Sequence, residues 1–403
     1  MTARRVLLVL AAAQLCAMAP WFSASAVAPT LAQIWHLGAA GTASLTVSVQ
    51  LGFVAGALVF AMLTLADVWS ARRLVAGSAV LAGLCTAGVA VSTSSAMGMG
   101  FRFLTGAALA GVYPPGMKIA AGWFREARGW AIGVLVGALT LGSATPHLVR
   151  WLAPMDAWRT VLLIAALSAW AGAALVLLVP SDGPYAAPSV PFSFSAAPTL
   201  LRDRAVLLAN LGYLGHMWEL YAMWTWMAAF VTASELARFG SASGHEVAVA
   251  ALVTFGVIGS GAVGCWLGGT YADRVGRTTV TSMSMVVSGL CCLFVGVLFG
   301  RSLLVLGPVL LVWGIAAVAD SAQFSTAVSE LAPRDYIGTA LTLQTSMWFL
   351  LTTVTISLLP YVASAIGWRW SMSVLAVGPA FGVWAMLALR GRPEALRLAG
   401  GRR

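Results

Sequence analysis

Charge is what this sequence has least of. Asp, Glu, Lys and Arg make up 9% of its 403 residues, against roughly 25% in a soluble globular chain, so water cannot be its only solvent. Lysine is almost missing: of 23 basic residues only Lys118 is a lysine, and the rest are arginines. The net charge of +10 does not indicate nucleic acid, because the arginines punctuate apolar runs instead of gathering on one solvated face. Cysteine is sparse too. Cys16, Cys85, Cys265, Cys291 and Cys292 lack metal-ligand spacing and read as small apolar helix residues, so no disulfide and no metal site is implied. Enzyme signals fail in context. Gly259-Ser-Gly261-Ala-Val-Gly264 fits a dinucleotide fingerprint but lies inside an apolar run with no preceding strand, and His245-Glu246 lacks the second histidine of a zinc-protease motif. No nucleophile, phosphate loop or cofactor site remains, and the sequence does not read as an enzyme.

What is abundant is hydrophobicity, at 60% of residues and a mean hydropathy of +0.90. A helix that crosses a bilayer needs about 20 apolar residues. Runs of that kind lie near 6–27, 44–65, 74–94, 97–120, 129–148 and 158–180, and again near 205–232, 247–268, 279–299, 303–329, 338–360 and 368–389. The sequence thus predicts an all-α membrane protein of twelve spans. A six-helix bundle covers 1–180, a linker 181–204, and a second bundle with a short basic tail 205–403. Pro184, Pro188, Pro191 and Pro198 oppose a regular helix in the linker. The basic start and first apolar run also fit a signal peptide, but their length and their likeness to later runs favour a retained helix. Sixteen arginines fall on the even-numbered connections and the two ends, Arg4, Arg274 and Arg390 among them; Arg150, Arg159, Arg238, Arg301 and Arg369 fall on the other side. Basic loops stay in the cytoplasm, so both ends are expected there, with the chain in the inner membrane.

The halves echo each other. Asp67 and Asp273 follow the second and eighth runs, Trp158-Arg159 and Trp368-Arg369 open the sixth and twelfth, and Gly129 and Gly338 open the fifth and eleventh, at offsets of 206, 210 and 209 residues. Parallel repeats of this kind are a transporter feature. The sharpest motif is Gly269-Thr-Tyr-Ala-Asp273-Arg274-Val-Gly276-Arg277-Thr278. Gly269 allows close backbone approach, Asp273 accepts hydrogen bonds at a helix N-terminus, and Arg274 and Arg277 face anionic lipid and carboxylates. Position for position it matches the loop motif of the major facilitator superfamily, which this chain resembles. The resemblance implies a conformational latch between helices of opposite halves. The first-half copy keeps Asp67, Arg72 and Arg73 but has Leu63 and Ser70 where glycines are expected. Arg102-Phe-Leu-Thr-Gly106 is similar to the family's second motif. Gly111-Val-Tyr113-Pro114-Pro115-Gly116-Met117-Lys118, leading into Trp123 and Gly129, resembles the fourth-to-fifth hairpin of its organic-anion branch. Gly133, Gly137, Gly142 and Pro146 loosely resemble an antiporter motif, and close helix packing is the plainer reading.

Candidate site residues lie inside the apolar runs. In the seventh, His216, Glu219, Met223 and Trp226 recur every three or four residues on one helical face, with Trp218 and Tyr221 nearby, setting an acid beside a titratable neighbour in an aromatic wall. Loss of water penalises a charged carboxyl, which suits reversible proton uptake; a static pair is the plain alternative. In the tenth, Asp320 and Gln323 share a face, and the 209-residue offset sets Asp320 level with Gly111. Arg102 inside a span costs at least about 2.5 kcal/mol and needs a partner or a watery cavity. Lys118 is near enough to the cytoplasmic end to snorkel. Gln50 and Gln344, with Trp21, Ser23 and Ser25, add polar groups at cavity depth.

The resemblance implies two bundles around one midplane cavity that opens alternately to either side, with no ATP site. The leading expectation is a monomeric, proton-coupled carrier of a small organic solute, meeting only that solute, protons and membrane lipid. A slight tilt toward organic anions follows from Arg102 and Lys118 opposing Glu219 and Asp320. The alternative is efflux of amphipathic compounds, favoured by the aromatic seventh run.

Overall fold

A computed structural model describes residues 1–65, 69–124, 128–154, 156–186, 192–240 and 244–403, and is all-helical over them. Twelve span positions follow one another. In the first half they are α1 (Ala3–Met18, continued by Ser23–Ala26 and Ala28–Ile34), α2 (Ala39–Met62), α3 (Ala71–Val91), α4 (Ser95–Leu109, then Tyr113–Trp123), α5 (Arg128–Leu152) and α6 (Trp158–Leu177). The second half holds α7 (Arg204–Phe239), α8 (His245–Val275), α9 (Arg277–Phe294), α10 (Leu303–Ala319, then Ser321–Leu331), α11 (Ile337–Ile366) and α12 (Trp368–Ser371, a 3-10 turn Met372–Ala376, then Val377–Arg390). Among the described residues, nine of these positions are long and apolar enough by composition to cross a membrane. The other three are α1 and α4, which are interrupted, and α7, whose 36 residues carry Trp, Tyr, His and Glu in place of aliphatic side chains.

The interruptions have local causes. Pro20 cannot donate a backbone bond, and α1 stops before it. In α4 the break at 110–112 precedes Pro114 and Pro115, which open the second segment. α10 breaks at Asp320, where α8 presses close: a Cβ on Gly268 would stand 1.9 Å from the Ala319 carbonyl oxygen. The repeat offset that aligned Asp320 with Gly111 therefore aligns the two broken helices at their breaks. The tryptophan-arginine starts repeat as well. Arg159 Nε donates to the Ala90 carbonyl at the end of α3, and Arg369 Nε to the Gly296 carbonyl just past α9, each at 3.1 Å.

The linker is more ordered than its prolines predict. It holds a 3-10 turn, Phe194–Ala196, and a short helix, Ala197–Arg202, with Pro198 in the first turn where its missing N–H is harmless. Asp203 then caps α7 by accepting from Ala205 and Val206 N–H at 2.9 and 3.1 Å. Asp182 does the same for α3, accepting from Ala71 and Arg72 N–H, while Arg72 Nη1 donates to the Val179 and Pro180 carbonyls. Asp67, which the sequence sets with Arg72 in the first-half copy of the loop motif, lies outside the described residues. The two bundles meet along α5 against α8 and α2 against α11.

Candidate functional site

The middle of the seam is filled by rings. α1 supplies Trp21 and Phe22 at its break, α2 supplies Phe53, α7 supplies Tyr221 and Trp224, and α11 supplies Phe349. Trp21 lies 4.8 Å from Phe53, 5.9 Å from Tyr221 and 5.8 Å from Phe349, centroid to centroid. Phe53 and Phe349 are 4.6 Å apart, and Phe22 sits 5.6 Å from Trp224. These rings come from both halves and from near the middle of their helices, so the expected midplane cavity is closed by aromatic contact in this conformation. The described cavities lie elsewhere. One of about 400 Å³ opens between α9 and α10, lined by apolar side chains such as Leu290, Cys291 and Val309, and a hollow of about 10 Å³ beside α11 holds Gln344 and Asn210.

Polar atoms are trapped in this closed centre. Trp21 Nε1, Trp224 Nε1 and both amide atoms of Gln50, one turn from Phe53 on α2, are buried without a protein hydrogen-bond partner among the described residues. Such atoms normally find a partner when buried. Gln344, also buried, leaves its amide unpaired in the same way.

A second cluster lies two turns along α7. His216 Nδ1 stands 2.9 Å from Asp320 Oδ1, both side chains 2% exposed, a close approach without the alignment of a hydrogen bond. Asp320 is in the α10 break, which brings its carboxyl to α7. Tyr213 stacks on the His216 ring at 5.6 Å, and Phe324 covers both. Tyr213 is within electrostatic reach of Tyr113 on α4 and of Asp320, and Cys265 on α8 is within reach of Asp320. Tyr113, Tyr213, His216, Cys265 and Asp320 thus converge from both halves.

Glu219 does not join that pair. It turns into the second bundle and accepts from Ser288 Oγ at 2.9 Å, from Cys292 Sγ at 3.3 Å and from Trp313 Nε1. The helical face shared by His216 and Glu219 therefore splits between two neighbours, because α9 and α10 offer donors to one and a carboxyl to the other. Trp218 donates to the Val374 carbonyl on α12, and Trp226 to Ile356 on α11. Arg102, fully buried, donates to the Leu45 carbonyl at 3.1 Å, to Pro20 at 2.7 Å and to Trp21. These are carbonyls that the α1 break and α2 present, so its partners are backbone and lie within its own half. Lys118 is half-buried on the second segment of α4.

The loop motif closes one end of the seam. The Asp273 carboxylate lies against the first turn of α5, 3.3 Å from where a Cβ on Gly129 would stand. Gly133 and Gly269 let α5 and α8 approach, with a Gly133 Cβ position 3.2 Å from the Cys265 carbonyl. Arg277 ties the loop to α10: it makes a bidentate pair with Glu330 at 2.7 and 2.6 Å, donates to Gln323 Oε1 at 2.9 Å and approaches Asp273 at 3.2 Å. Gln323, expected beside Asp320, belongs to this loop network instead. Gly276 adopts φ 98°, and a Cβ there would meet the Arg403 carbonyl at 1.7 Å, so the tail 393–403 seats directly on the motif. Arg274 is exposed.

Several residues escaped the sequence reading. Trp313, Ser288 and Glu330 are partners that no spacing reveals. His147 had a signal, an ionisable residue inside an apolar span. It continues the Gly133, Gly137, Thr140 face of α5 toward α8, is 1% exposed, and neither ring nitrogen has a partner among the described residues.

Two repeated helical bundles that meet across a buried aromatic and polar seam define a multi-pass membrane protein of the transporter class. Residues 10–355 match the Major Facilitator Superfamily, and the chain belongs to it. The putative transporter YdfJ of Escherichia coli (strain K12) is 27% identical over 166 residues, which is 37% of this chain and 39% of that protein. Among solved structures, the nucleoside transporter NupG is similar with a TM-score of 0.72 at 16% identity, over 96% of this chain and 100% of that one. The human organic anion transporter MFSD10 gives 0.68 at 17%, over 96% and 100%, and the proton:xylose symporter XylE gives 0.70 at 14%, over 96% and 94%. At these identities the structures establish the fold.

Proposed function

We propose that the chain moves a small organic solute across the inner membrane by proton-coupled alternating access, as a monomer with both ends in the cytoplasm. The observation that carries this is the seam itself. Rings and unpaired polar atoms from both halves are pressed together at mid-depth, where only parting of the bundles can give those atoms water or a solute. The arginine bias supports the orientation.

The proton site is the Asp320–His216 pair. It is buried and sits at a helix break beside the seam, with Tyr213 stacked on His216 and Phe324 against both rings, and with Tyr213, Cys265 and Glu219 within electrostatic reach of Asp320. Ionisable side chains inside a span mark proton paths, and water reaches this buried pair only when the bundles part. Glu219 is a positioning residue that ties α7 to α9 and α10. The tilt toward organic anions loses its main support, since Arg102 is committed to three carbonyls. Export of amphipathic compounds keeps the aromatic centre as its own support.

The test is uptake into proteoliposomes. An inward pH gradient should drive accumulation of a solute that stabilises the purified protein, and Asp320→Asn should stop it. Equal rates with and without the gradient would end the coupling reading.

A further inference from the structure

We propose that the ring cluster of Trp21, Phe22, Phe53, Tyr221, Trp224 and Phe349 is itself the solute site, and that its ligand is a neutral, flat heteroaromatic compound carrying hydrogen-bond acceptors. The proposal rests on the transport reading above and names the class of cargo.

Shape comes first. Six aromatic rings from four helices meet with centroids 4.6 to 6.1 Å apart. These are the separations at which rings stack or meet edge to face. When α1 and α2 withdraw from α7 and α11, each ring loses a ring partner. A planar aromatic solute restores that contact on both sides, which an aliphatic or globular one does not.

Polarity then narrows the class. Among the described residues, the unpaired groups in the cluster or one turn from its rings are the Trp21 and Trp224 indole N–H groups, the Gln50 amide and, one turn from Phe349, the Ser346 hydroxyl. An indole nitrogen only donates, while the amide both donates and accepts. The complement is a solute rich in acceptors, such as ring nitrogens or carbonyls, with at most a donor or two. A site built to hydrogen-bond its ligand rejects analogues that leave those groups unpaired.

Charge and hydroxyls are disfavoured on the same grounds. An anion would need a cation, but Arg102 holds the Leu45, Pro20 and Trp21 carbonyls. A cation would find ring faces, but it offers no acceptor to the two indoles. The nearby carboxylates are turned elsewhere, Glu219 to Trp313 and Ser288, and Asp320 to His216. A sugar carries more hydroxyls than these few polar side chains can satisfy, and each one buried unpaired weakens binding.

The test uses the purified full chain in lipid nanodiscs, with thermal shift and calorimetric titration and no gradient applied. The probes are thymine and caffeine as neutral heteroaromatics, glucose, benzoate, and tetraphenylphosphonium. The heteroaromatics should stabilise the protein saturably. Trp21→Phe and Trp224→Phe, which keep a ring and remove one N–H, should each weaken that binding by about tenfold without lowering the unliganded melting temperature more than a control substitution, Trp384→Phe, on the exposed face of α12. Strongest stabilisation by benzoate, glucose or the phosphonium overturns the proposal. So does binding unaffected by both Phe variants, or no stabilisation by either heteroaromatic. Binding with the expected sensitivity but no uptake either with or without a gradient would instead remove the transport reading and leave the site.

Discussion

Glu219 accepts the indole N–H of Trp313 across the interior of the second bundle, although in sequence it shares a helical face with His216, three residues earlier. Its carboxyl also takes Ser288 and Cys292. A group held this way anchors helices. Glu219→Gln retains an acceptor for Trp313, so gradient-driven uptake should fall no more than a few-fold. Glu219→Leu leaves the Trp313 indole N–H buried without its acceptor, at about 1–3 kcal/mol, while Ser288 keeps the Met285 carbonyl, and should lower the melting temperature in detergent. Loss of uptake in the Gln variant at unchanged stability would return Glu219 to the proton path.

Asp320 is predicted to behave in the opposite way. An amide at 320 cannot take and release a proton, so Asp320→Asn should abolish accumulation against a gradient. Exchange of labelled for unlabelled solute needs no net proton movement and should persist within a few-fold. The readout is a pair of proteoliposome assays on the same preparation, and equal loss of accumulation and exchange would point to a packing role for Asp320.

Arg102 should be irreplaceable by lysine. Its three donor nitrogens reach three carbonyls from two chain segments, and one ammonium cannot bridge that spread. Hydrogen bonds to a charged donor contribute about 1.5–3 kcal/mol each. Arg102→Lys should therefore destabilise the protein by at least about 2 kcal/mol, seen as a lower melting temperature and faster amide exchange around 19–27. An unaltered exchange pattern would show that the α1 break holds without it.

How far the sequence alone reached follows from the range of each interaction. Span positions, the repeat, and the Asp320–Gly111 equivalence are periodic or local, and they were readable before any coordinates. So was the loop motif, whose Arg277 forms a tight ion pair, though its partner Glu330 lies 53 residues on. The turn of Glu219 to Trp313 was not readable, because helical periodicity says which residues share a face and not which neighbour that face meets. Trp21, weak evidence as a lone residue, proved central once the Pro20 break turned it toward Phe53 and Tyr221. Gln323 was paired with Asp320 by spacing, yet one turn of helix beyond a break points it to Arg277.

The α5–α8 contact yields a last prediction, because glycines let these helices of opposite halves approach closely. A Cβ on Gly133 would stand 3.2 Å from the Cys265 carbonyl and face Gly269, so a leucine there cannot fit while the helices stay in contact. Overpacking of this kind costs about 1–3 kcal/mol. If the bundles part as proposed, that cost falls on the closed seam and not on the fold of either half. Gly133→Leu should then shift the population toward an opening at the loop-motif end, by about tenfold for each 1.4 kcal/mol. Asp273→Asn weakens the charge held at the α5 N-terminus, worth about 0.3–1 kcal/mol, and should shift the same equilibrium less. Spin-label distances between the loop-motif ends of α5 and α8 would report both shifts. Leucine at 133 that lowers stability without lengthening those distances would mean that this crossing is a fixed hinge of the molecule and not its gate.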